Sequence, residues 1–468
     1  MHIVPNALTE CAALMNSSGF STADVERWTK SHPMDIRELR ADTQRYGAFW
    51  RESTALAAHL PRKPERTPHE RALAERLVAL AREARERFLN AYLLAAYDQL
   101  TRDRSRPVRL DELCYTAAEA FPGLVPSRAE VNAESSLQQR DKDGIEIDQG
   151  LFLSHVLADE AAGCHLVHSM LLPRPDSVEL AREFARTGVA EFAGARLERR
   201  GKAAFVTMRN PRFLNAEDSS TLDGLEIAAD LALLDSASEA CVFRGDFVEH
   251  PKYAGRRIFG AGINLTRLYQ GKIPFLWYLT RDLGLVNKFF RGLAGASADE
   301  LAGDSVEKLW IAAVETFAIG GHCQILLAMD YTLAGSDAYL TLPARKEGII
   351  PGAANLRLPR FVGDRLARQA ILFERRFDCD SPEGRMICDR IVAPEGMDAA
   401  IAETVAGLTS SGVVSAAGNR RAFRVAQEPL DMFRRYMAVY AREQAHCHFS
   451  PALIDNLERN WDARNRRG

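Results

Sequence analysis

Two glycine-containing segments carry residues that could together stabilise a negatively charged oxygen. In residues 257–265 a predicted strand runs into Gly-Ala-Gly-Ile, where glycine permits a sharp turn and the close approach that a ligand carbonyl needs. In residues 313–324 a buried strand is predicted to pass through Gly320-Gly321 into a helix. Free N–H groups at a helix start favour a developing oxyanion. Each segment alone could equally be a tight turn or a packing turn of small residues.

A third segment, residues 339–352, follows these two, and the order of all three resembles the crotonase (enoyl-CoA hydratase/isomerase) superfamily. The resemblance covers roughly residues 198–410 and implies an acyl-coenzyme A substrate. It implies that the backbone N–H groups of Ile263 and Gly321 hold the oxygen of a thioester enolate. The substrate-binding residues that it implies around them are Asn215, Ala216, Gly262, Asn264 and Gly320, the first two lying along bound coenzyme A.

Two departures from the family pattern narrow the expected reaction. Hydratases of this superfamily resemble one another in carrying two glutamates, at positions where this chain has Gln324 and Ala344. An amide cannot act as a general base at neutral pH, and a methyl group cannot do so at all. Water addition by the usual pair is therefore disfavoured, whereas enolate stabilisation is retained.

One branch of the superfamily matches these features. The strings FGAGINL at 259–265 and IGGHCQ at 319–324, with Asn-Ala-Glu-Asp at 215–218, resemble its cofactor-independent dioxygenases of arylacetyl-CoA thioesters. The resemblance implies that O2 and a thioester with a dihydroxyphenyl ring are converted into an arylglyoxylate and free coenzyme A. It implies no metal and no flavin. His322 stands where a third glycine is common in the superfamily. This departure leaves open how the mouth of the pocket is shaped.

Three polar residues are expected to contact the ring hydroxyls by the same resemblance: Glu217, Arg281 and Gln324, of which Gln324 is also a catalytic candidate. Each has an alternative. Glu217 could be an acid at a helix N-terminus, Arg281 could form a plain ion pair, and Gln324 could satisfy a buried backbone group.

The oxidation also requires a dry apolar pocket beside the reacting carbon, because O2 is apolar and water would quench a carbanion. Leu265 and Ile349 lie next to or within the motifs and are the candidates for its wall, although both could be ordinary core residues. The sequence identifies no group that removes the α-proton.

The elements around these motifs predict an α/β fold, a crotonase-like ββα superhelix core with a helical N-terminal domain and C-terminal helices. Residues 1–197 are predicted to be helical, 198–395 to form the core that binds the thioester, and 396–468 to form a helical oligomerisation region. Short apolar strand-forming runs at 203–208 and 309–314 support parallel strands. Crotonase-like proteins resemble one another in assembling through C-terminal helices, which implies a homo-oligomer, a trimer or a hexamer.

Composition excludes several other classes of function. The net charge of −3 gives no reason to expect nucleic acid or a membrane surface as a partner. No apolar run reaches the roughly 18–20 residues that span a bilayer. Eight scattered cysteines without a CxxC pair, and a start that does not resemble a signal peptide, favour a cytoplasmic protein with reduced thiols. His155, Glu160, His165 and His168 lack the spacing of a recognised metal site, so no metal is expected.

Three alternatives stay open from the sequence. Another crotonase-type reaction (thioester hydrolysis, decarboxylation or double-bond isomerisation) would use the same oxyanion donors. A non-catalytic CoA-binding protein would have no use for them. A metalloprotein would require a ligand set that the spacing does not provide.

Overall fold

The computed structural model describes residues 3–34, 36–297, 299, 301 and 303–466. In chain order these residues form a helical region, a mixed α/β core and a C-terminal set of helices.

Nine helices make up the N-terminal region. They are α1 (Ile3–Ser17), α2 (Thr22–Ser31), α3 (Leu39–Ala58), α4 (Pro68–Thr101), α5 (Leu110–Ala120), α6 (Arg128–Glu134), α7 (Ile147–Ala158), α8 (Glu160–Leu171) and α9 (Pro175–Thr187). A capping box starts α4, because the Thr67 side chain accepts from the Glu70 N–H and the Glu70 carboxylate accepts from the Thr67 N–H. The apolar face of α4 is buried in the helical core.

The helical region ends earlier than predicted. The residues after Thr187 form β1 (Val189–Phe192) and β2 (Ala195–Arg200), which pair antiparallel and already belong to the main sheet. The prediction of helix up to residue 197 was wrong here because these strands carry charged side chains on a solvent-exposed face, so they lack the apolar runs of buried strands.

A seven-stranded sheet forms the core, in the order β1-β2-β3-β4-β5-β7-β10. The remaining strands of that sheet are β3 (Ala203–Met208), β4 (Ala240–Gly245), β5 (Leu309–Val314), β7 (Tyr331–Gly335) and β10 (Arg390–Val392). From β3 onward all neighbours are parallel. The predicted strands at 203–208 and 309–314 are therefore confirmed, and their nearly continuous burial explains the apolar runs.

A second, three-stranded sheet lies beside the first and completes a repeated strand–strand–helix unit. It contains β6 (Phe317–Ile319), β8 (Tyr339–Thr341) and β9 (Phe377–Asp378). The core helices are α10 (Leu222–Leu234), α11 (Leu265–Tyr269), α12 (Leu276–Thr280), α13 (Asn287–Arg291), α14 (Gly321–Leu326), α15 (Ala344–Glu347) and α16 (Ala354–Phe373). The units β5–β6–α14 and β7–β8–α15 place two helix starts at one edge of the second sheet.

Four helices close the chain: α17 (Met397–Leu408), α18 (Val414–Gln427), α19 (Leu430–His448) and α20 (Pro451–Trp461). Helix α19 lies along α7 so closely that a Cβ added to Gly150 would sit 2.4 Å from the Ala445 Cβ. The C-terminal helices therefore join the N-terminal region to the core.

Candidate active site

The two glycine turns predicted from the sequence lie directly against each other. Gly262 and Gly320 adopt the left-handed region, with φ of 78° and 52°. A Cβ on Gly262 would lie 2.8 Å from the Ile319 carbonyl oxygen and 3.0 Å from the Gly321 nitrogen. Only glycine fits at residue 262, since both its backbone torsion and this close approach exclude a side chain.

Two backbone donors remain available where these turns meet. The Glu217 N–H donates to the Gly262 carbonyl at 2.7 Å, and the Asn264 N–H donates to the Glu217 carbonyl at 2.8 Å, which fixes the chain on both sides of Ile263. Within the described part of the chain, no group accepts a hydrogen bond from the N–H of Ile263 or of Gly321. Both residues line the same cavity. The arrangement can therefore offer two N–H groups to one ligand oxygen.

His322 supports this donor pair from behind. The Gly262 N–H donates to the His322 Nδ1 at 3.1 Å, so the ring proton is on Nε2. The ring is fully buried against Phe243 and Phe259, and it occupies space that a Cβ on Gly260 would fill, at 2.1 Å. His322 thus holds the Gly-Ala-Gly turn and does not lie at the pocket mouth.

Burial lowers the pKa of His322 from 6.5 to about 4, and the nearby Glu217 carboxylate opposes this only partly. The unfolded chain therefore takes up a proton below pH 6.5 that the folded chain refuses. Stability from this residue is complete above pH 6.5 and is lost as the pH falls towards 4, by an amount on the order of 3 kcal/mol.

We expect a His322→Asn variant, whose amide oxygen can replace Nδ1 as acceptor, to lack this loss. Urea unfolding at pH 7 and pH 4 measures the difference between wild type and variant. Other buried histidines also titrate, but they do so equally in both proteins. The informative quantity is therefore how the stability difference between wild type and variant changes from pH 7 to pH 4. A difference that is constant across this range would contradict a buried neutral His322.

A buried ion-pair network lies beneath Gly321. The Arg281 guanidinium donates to both Glu217 carboxylate oxygens at 2.8 Å, to Asp282 Oδ1 at 2.7 Å and to Gln324 Oε1 at 2.9 Å. It also donates to the Gly321 carbonyl oxygen at 2.7 Å. Arg281 therefore forms an ion pair, as the alternative interpretation of the sequence held. It also connects three predicted site residues, Glu217, Gly321 and Gln324.

The structure also tests the alternative roles that the sequence left open for Glu217 and Gln324. Glu217 is not at a helix N-terminus; it lies in a β-bridge to Ile263. Gln324 binds a side chain and no backbone group with its carbonyl, and its NH2 has no acceptor among the described residues. Arg281 begins a π-helical segment, Arg281–Val286, that continues α12, a local distortion frequent at functional sites.

A cavity opens in front of the two donors. Its wall is formed by Ile263, Trp277, Tyr278, Arg281, Asp282, Gly320, Gly321, Gln324, Ala344, Glu347, Ile349, Ile350, Pro351 and Tyr440. Of the two residues proposed for an O2 pocket, Ile349 lies on this wall. Leu265, the first residue of α11, does not; it is half-buried and packs against the main core.

Several wall residues were missed by sequence reasoning. Trp277 and Tyr278 come from α12, and Tyr440 comes from α19, far along the chain. The amphipathic pattern of a helix predicts that such aromatic residues are buried, but it does not predict which cavity they line. Glu347 could have been identified from the sequence, because it lies in the third motif three residues after Ala344 and on the same helical face.

Similarity to a known protein extends over most of the chain. The chain is 45% identical over 425 residues to a (3,5-dihydroxyphenyl)acetyl-CoA 1,2-dioxygenase from Amycolatopsis orientalis, covering 91% of this chain and 95% of that protein. The chain belongs to the crotonase superfamily. The sequence model of its family "Enoyl-CoA hydratase/isomerase" matches residues 295–441. The fold class predicted from the sequence, a crotonase core between helical N-terminal and C-terminal regions, is confirmed.

More distant crotonases match only part of the chain. A short-chain-enoyl-CoA hydratase from Clostridium acetobutylicum is 31% identical over 200 residues, which is 42% of this chain and 68% of the hydratase. The crystal structure of an enoyl-CoA hydratase from Bacillus halodurans has a TM-score of 0.48 at 16% identity and covers 57% of this chain and 99% of its own.

Other predicted substrate-binding residues of this crotonase lie behind the cavity wall. The Asn215 side chain donates to the Asp246 and Ile258 carbonyls at 2.8 Å, and its carbonyl accepts from the Asn210 N–H. Asn264 caps α11 and donates to Asp218. These side chains, like Glu217, are occupied by the protein itself. Their physical role in the structure is to hold the motif backbones.

The neighbouring Ala216 is buried, and its carbonyl oxygen accepts a hydrogen bond from the Asn210 side chain. The contact of the segment Asn215-Ala216 with coenzyme A stays a prediction.

The histidine cluster noted in the sequence is occupied by structural contacts. His155 Nδ1 bonds the Leu151 carbonyl, and His165 Nδ1 bonds the Tyr97 hydroxyl. No three His, Cys, Asp or Glu side chains come together as a metal site in the ranges the structure describes. Within those ranges, too, every helix is too short or too polar to cross a membrane.

Proposed function

We propose that this chain oxidises an arylacetyl-CoA with O2 to an arylglyoxylate and free coenzyme A. The identity with the Amycolatopsis enzyme along 91% of the chain is the observation that carries the proposal. The absence of both hydratase glutamates, at Gln324 and Ala344, separates the chain from water-adding crotonases.

The proposed reaction begins with loss of an α-proton from the thioester. The α-carbon lies between a thioester and an aryl ring, so its proton is acidic, and the enolate oxygen would accept hydrogen bonds from Ile263 and Gly321. The carbanion is oxidised by O2 and forms a peroxide at the α-carbon. The peroxide closes on the thioester carbonyl and expels the coenzyme A thiolate.

The remaining α-hydrogen leaves as the O–O bond breaks, which gives the ketone and the carboxylate. The balance is one thioester and one O2 to one arylglyoxylic acid and one thiol. The four electrons that reduce O2 come from the substrate's own CH2 group, so the proposal needs neither metal nor flavin.

Ring hydroxyls would be recognised by polar groups on the cavity wall. The Gln324 NH2 lies on this wall without an acceptor in the described chain, whereas all five N–H groups of Arg281 donate to the protein and hold Gln324 in place. Glu217 would act on the substrate through Arg281, whose guanidinium it holds at two points. A dihydroxyphenyl ring is the substituent that we propose for these partners.

An apolar lining would hold O2 and exclude water beside the α-carbon. Ile349, with Ile350 and Trp277, contributes this surface. Leu265 is half-buried outside the wall, and we propose no direct contact for it.

We expect chelator-treated protein given 3,5-dihydroxyphenylacetyl-CoA to consume one O2 for each thiol released. An oxygen electrode and a thiol-reactive dye measure the two together. Thiol release without O2 uptake would indicate a hydrolase and contradict the proposal. Phenylacetyl-CoA without ring hydroxyls is the matched substrate and should react more slowly, because it leaves the Gln324 NH2 without an acceptor.

We also propose that the chain is a homo-oligomer, a trimer or a hexamer. Apolar side chains on α18 and α19 are exposed in the single chain, among them Val414, Phe423 and Val439. A contiguous apolar patch is typical of a surface that a partner covers, and we propose that these side chains belong to one.

A further inference from the structure

One carboxylate on the cavity wall has no partner in the described part of the chain. Glu347 is the last residue of α15 and is 4% exposed. Among the described residues, no hydrogen-bond donor or cation pairs with its carboxylate. The other carboxylate of the wall, Asp282, is paired with Arg281 at 2.7 Å. Glu347 is therefore free to exchange a proton with something that enters the cavity.

Burial without a counter-charge is costly for a carboxylate, so an unpaired buried acid lowers the stability of the folded chain. Elsewhere in the chain buried acids are neutralised, as Glu226 is by Lys288 and Arg109, and Glu428 by Arg357. Here burial raises the pKa of Glu347 to about 7, with a smaller contribution from Glu374. A carboxylate of this kind accepts protons near neutral pH more readily than an ordinary one.

Glu347 lies close to the position at which related hydratases carry a catalytic glutamate and this chain does not. Ala344 occupies the position at which related hydratases carry a glutamate, and it cannot accept a proton. Residues three apart on a helix share a face, and both Ala344 and Glu347 line the cavity with Ile263 and Gly321. A carboxylate is thus present on the same side of the cavity, one helical turn later.

Building on the proposed function, we propose that Glu347 is the catalytic base that takes the α-proton of the arylacetyl thioester. The α-carbon–hydrogen bond breaks, its electron pair moves into the enolate held by Ile263 and Gly321, and an O–H bond forms on Glu347. Glu347 then returns this proton to the departing coenzyme A thiolate. The restored carboxylate takes the second α-hydrogen as a proton when the O–O bond breaks.

The neighbouring titratable groups are compatible with this role. Tyr278, Arg281 and Asp282 face the cavity from the segment that contains α12, and Tyr440 faces it from α19. Burial raises the pKa of both tyrosines above their ordinary value, and the Glu347 charge adds to this effect at Tyr278. Both phenols therefore stay protonated where Glu347 titrates.

The test separates proton removal from oxidation. Without O2, in D2O, wild-type protein should exchange the α-hydrogens of 3,5-dihydroxyphenylacetyl-CoA, followed by mass spectrometry. Glu347→Gln should exchange 10²–10⁴-fold more slowly, while its substrate Kd changes less than threefold. Glu347→Asp, which keeps a shortened carboxylate, should be intermediate. The limb of the wild-type exchange profile near pH 7 should be absent in Glu347→Gln.

Glu374→Gln is the matched control, because Glu374 contacts Arg345 and Lys346 outside the cavity. Its exchange rate should stay within threefold of wild type, and its limb near pH 7 should move to slightly lower pH because the Glu374 charge helps to raise the Glu347 pKa. Folding is checked by thermal melting, and Glu347→Gln should melt no lower than wild type since it removes an unpaired buried acid.

Exchange by Glu347→Gln within threefold of wild type would overturn the assignment. So would an equal loss of exchange and of substrate binding, or a rate for Glu347→Asp no higher than that for Glu347→Gln. The proposed function fails separately, if wild-type protein exchanges the α-hydrogens but consumes no O2 when air is admitted.

Discussion

Replacing Arg281 by methionine should destabilise the protein by about 3–5 kcal/mol, because it leaves buried carboxylates without their counter-charge. Glu217 and Asp282 are 1% and 3% exposed and both receive N–H groups from Arg281. Methionine fills much of the same volume and donates no hydrogen bond. Urea unfolding at pH 7 measures the loss of unfolding free energy.

Activity should fall as well, by at least about 10²-fold in kcat/KM, because Arg281 holds the groups that face the substrate. It donates to the Gly321 carbonyl and to Gln324, so its removal frees the turn that carries one oxyanion donor. Oxygen uptake with the arylacetyl thioester measures this effect.

A double variant, Arg281→Met with Glu217→Met, separates the two effects. Removing the partner carboxylate should restore part of the stability, since no unpaired Glu217 remains, but should restore no activity. If the unfolding free energy of the single variant lay within about 1 kcal/mol of the wild-type value, the buried groups would not carry the charges assigned to them. If the double variant regained activity, the network would have no role in positioning the site.

The donor turns could be predicted from the sequence because their chemistry is local. Gly262 and Gly320 are required by the backbone itself, and a helix start has free N–H groups whatever surrounds it. The strands at 203–208 and 309–314 were predictable for the same reason, since each strand is buried along almost its whole length.

What could not be predicted depends on contacts between distant segments. Arg281 forms an ion pair and also lies on the cavity wall, two alternatives that the sequence treated as exclusive. Glu217 was predicted to contact substrate, yet Arg281 occupies both its carboxylate oxygens. The Tyr440 side chain reaches the cavity because α19 packs along α7, and nothing in its own segment indicates this.

The helical N-terminal region, whose purpose the sequence left open, also has a structural explanation. The Glu146 carboxylate accepts from the Phe275 N–H at 2.7 Å, and Lys142 donates to the Gly271 carbonyl at 2.8 Å. The side chains of Glu146 and Lys142 are both almost fully buried. The region thus fixes the segment that leads through α12 to Arg281, and so helps to position the site.

The second large effect concerns the oxyanion donor of Gly321. Gly321→Pro removes one N–H, and proline is compatible with the first position of a helix such as α14 because no helical hydrogen bond is lost there. Gly321→Ala keeps the N–H but introduces the same Cβ, which would meet the Glu217 carboxylate at 2.6 Å and the Arg281 guanidinium at 3.0 Å. The alanine variant therefore controls for the Cβ, and the additional effect of proline is that a ring carbon replaces the N–H hydrogen at the donor position.

We expect both variants to be slower than wild type and Gly321→Pro to be slower than Gly321→Ala by a further 10²–10³-fold in kcat, the usual effect of losing one oxyanion donor. The same ratio should appear in anaerobic α-hydrogen exchange, since the enolate forms before O2 reacts. Equal rates for the two variants would mean that the Gly321 N–H binds no developing charge. In that case Ile263 alone would stabilise the enolate, and the close approach of the two glycine turns would serve packing only.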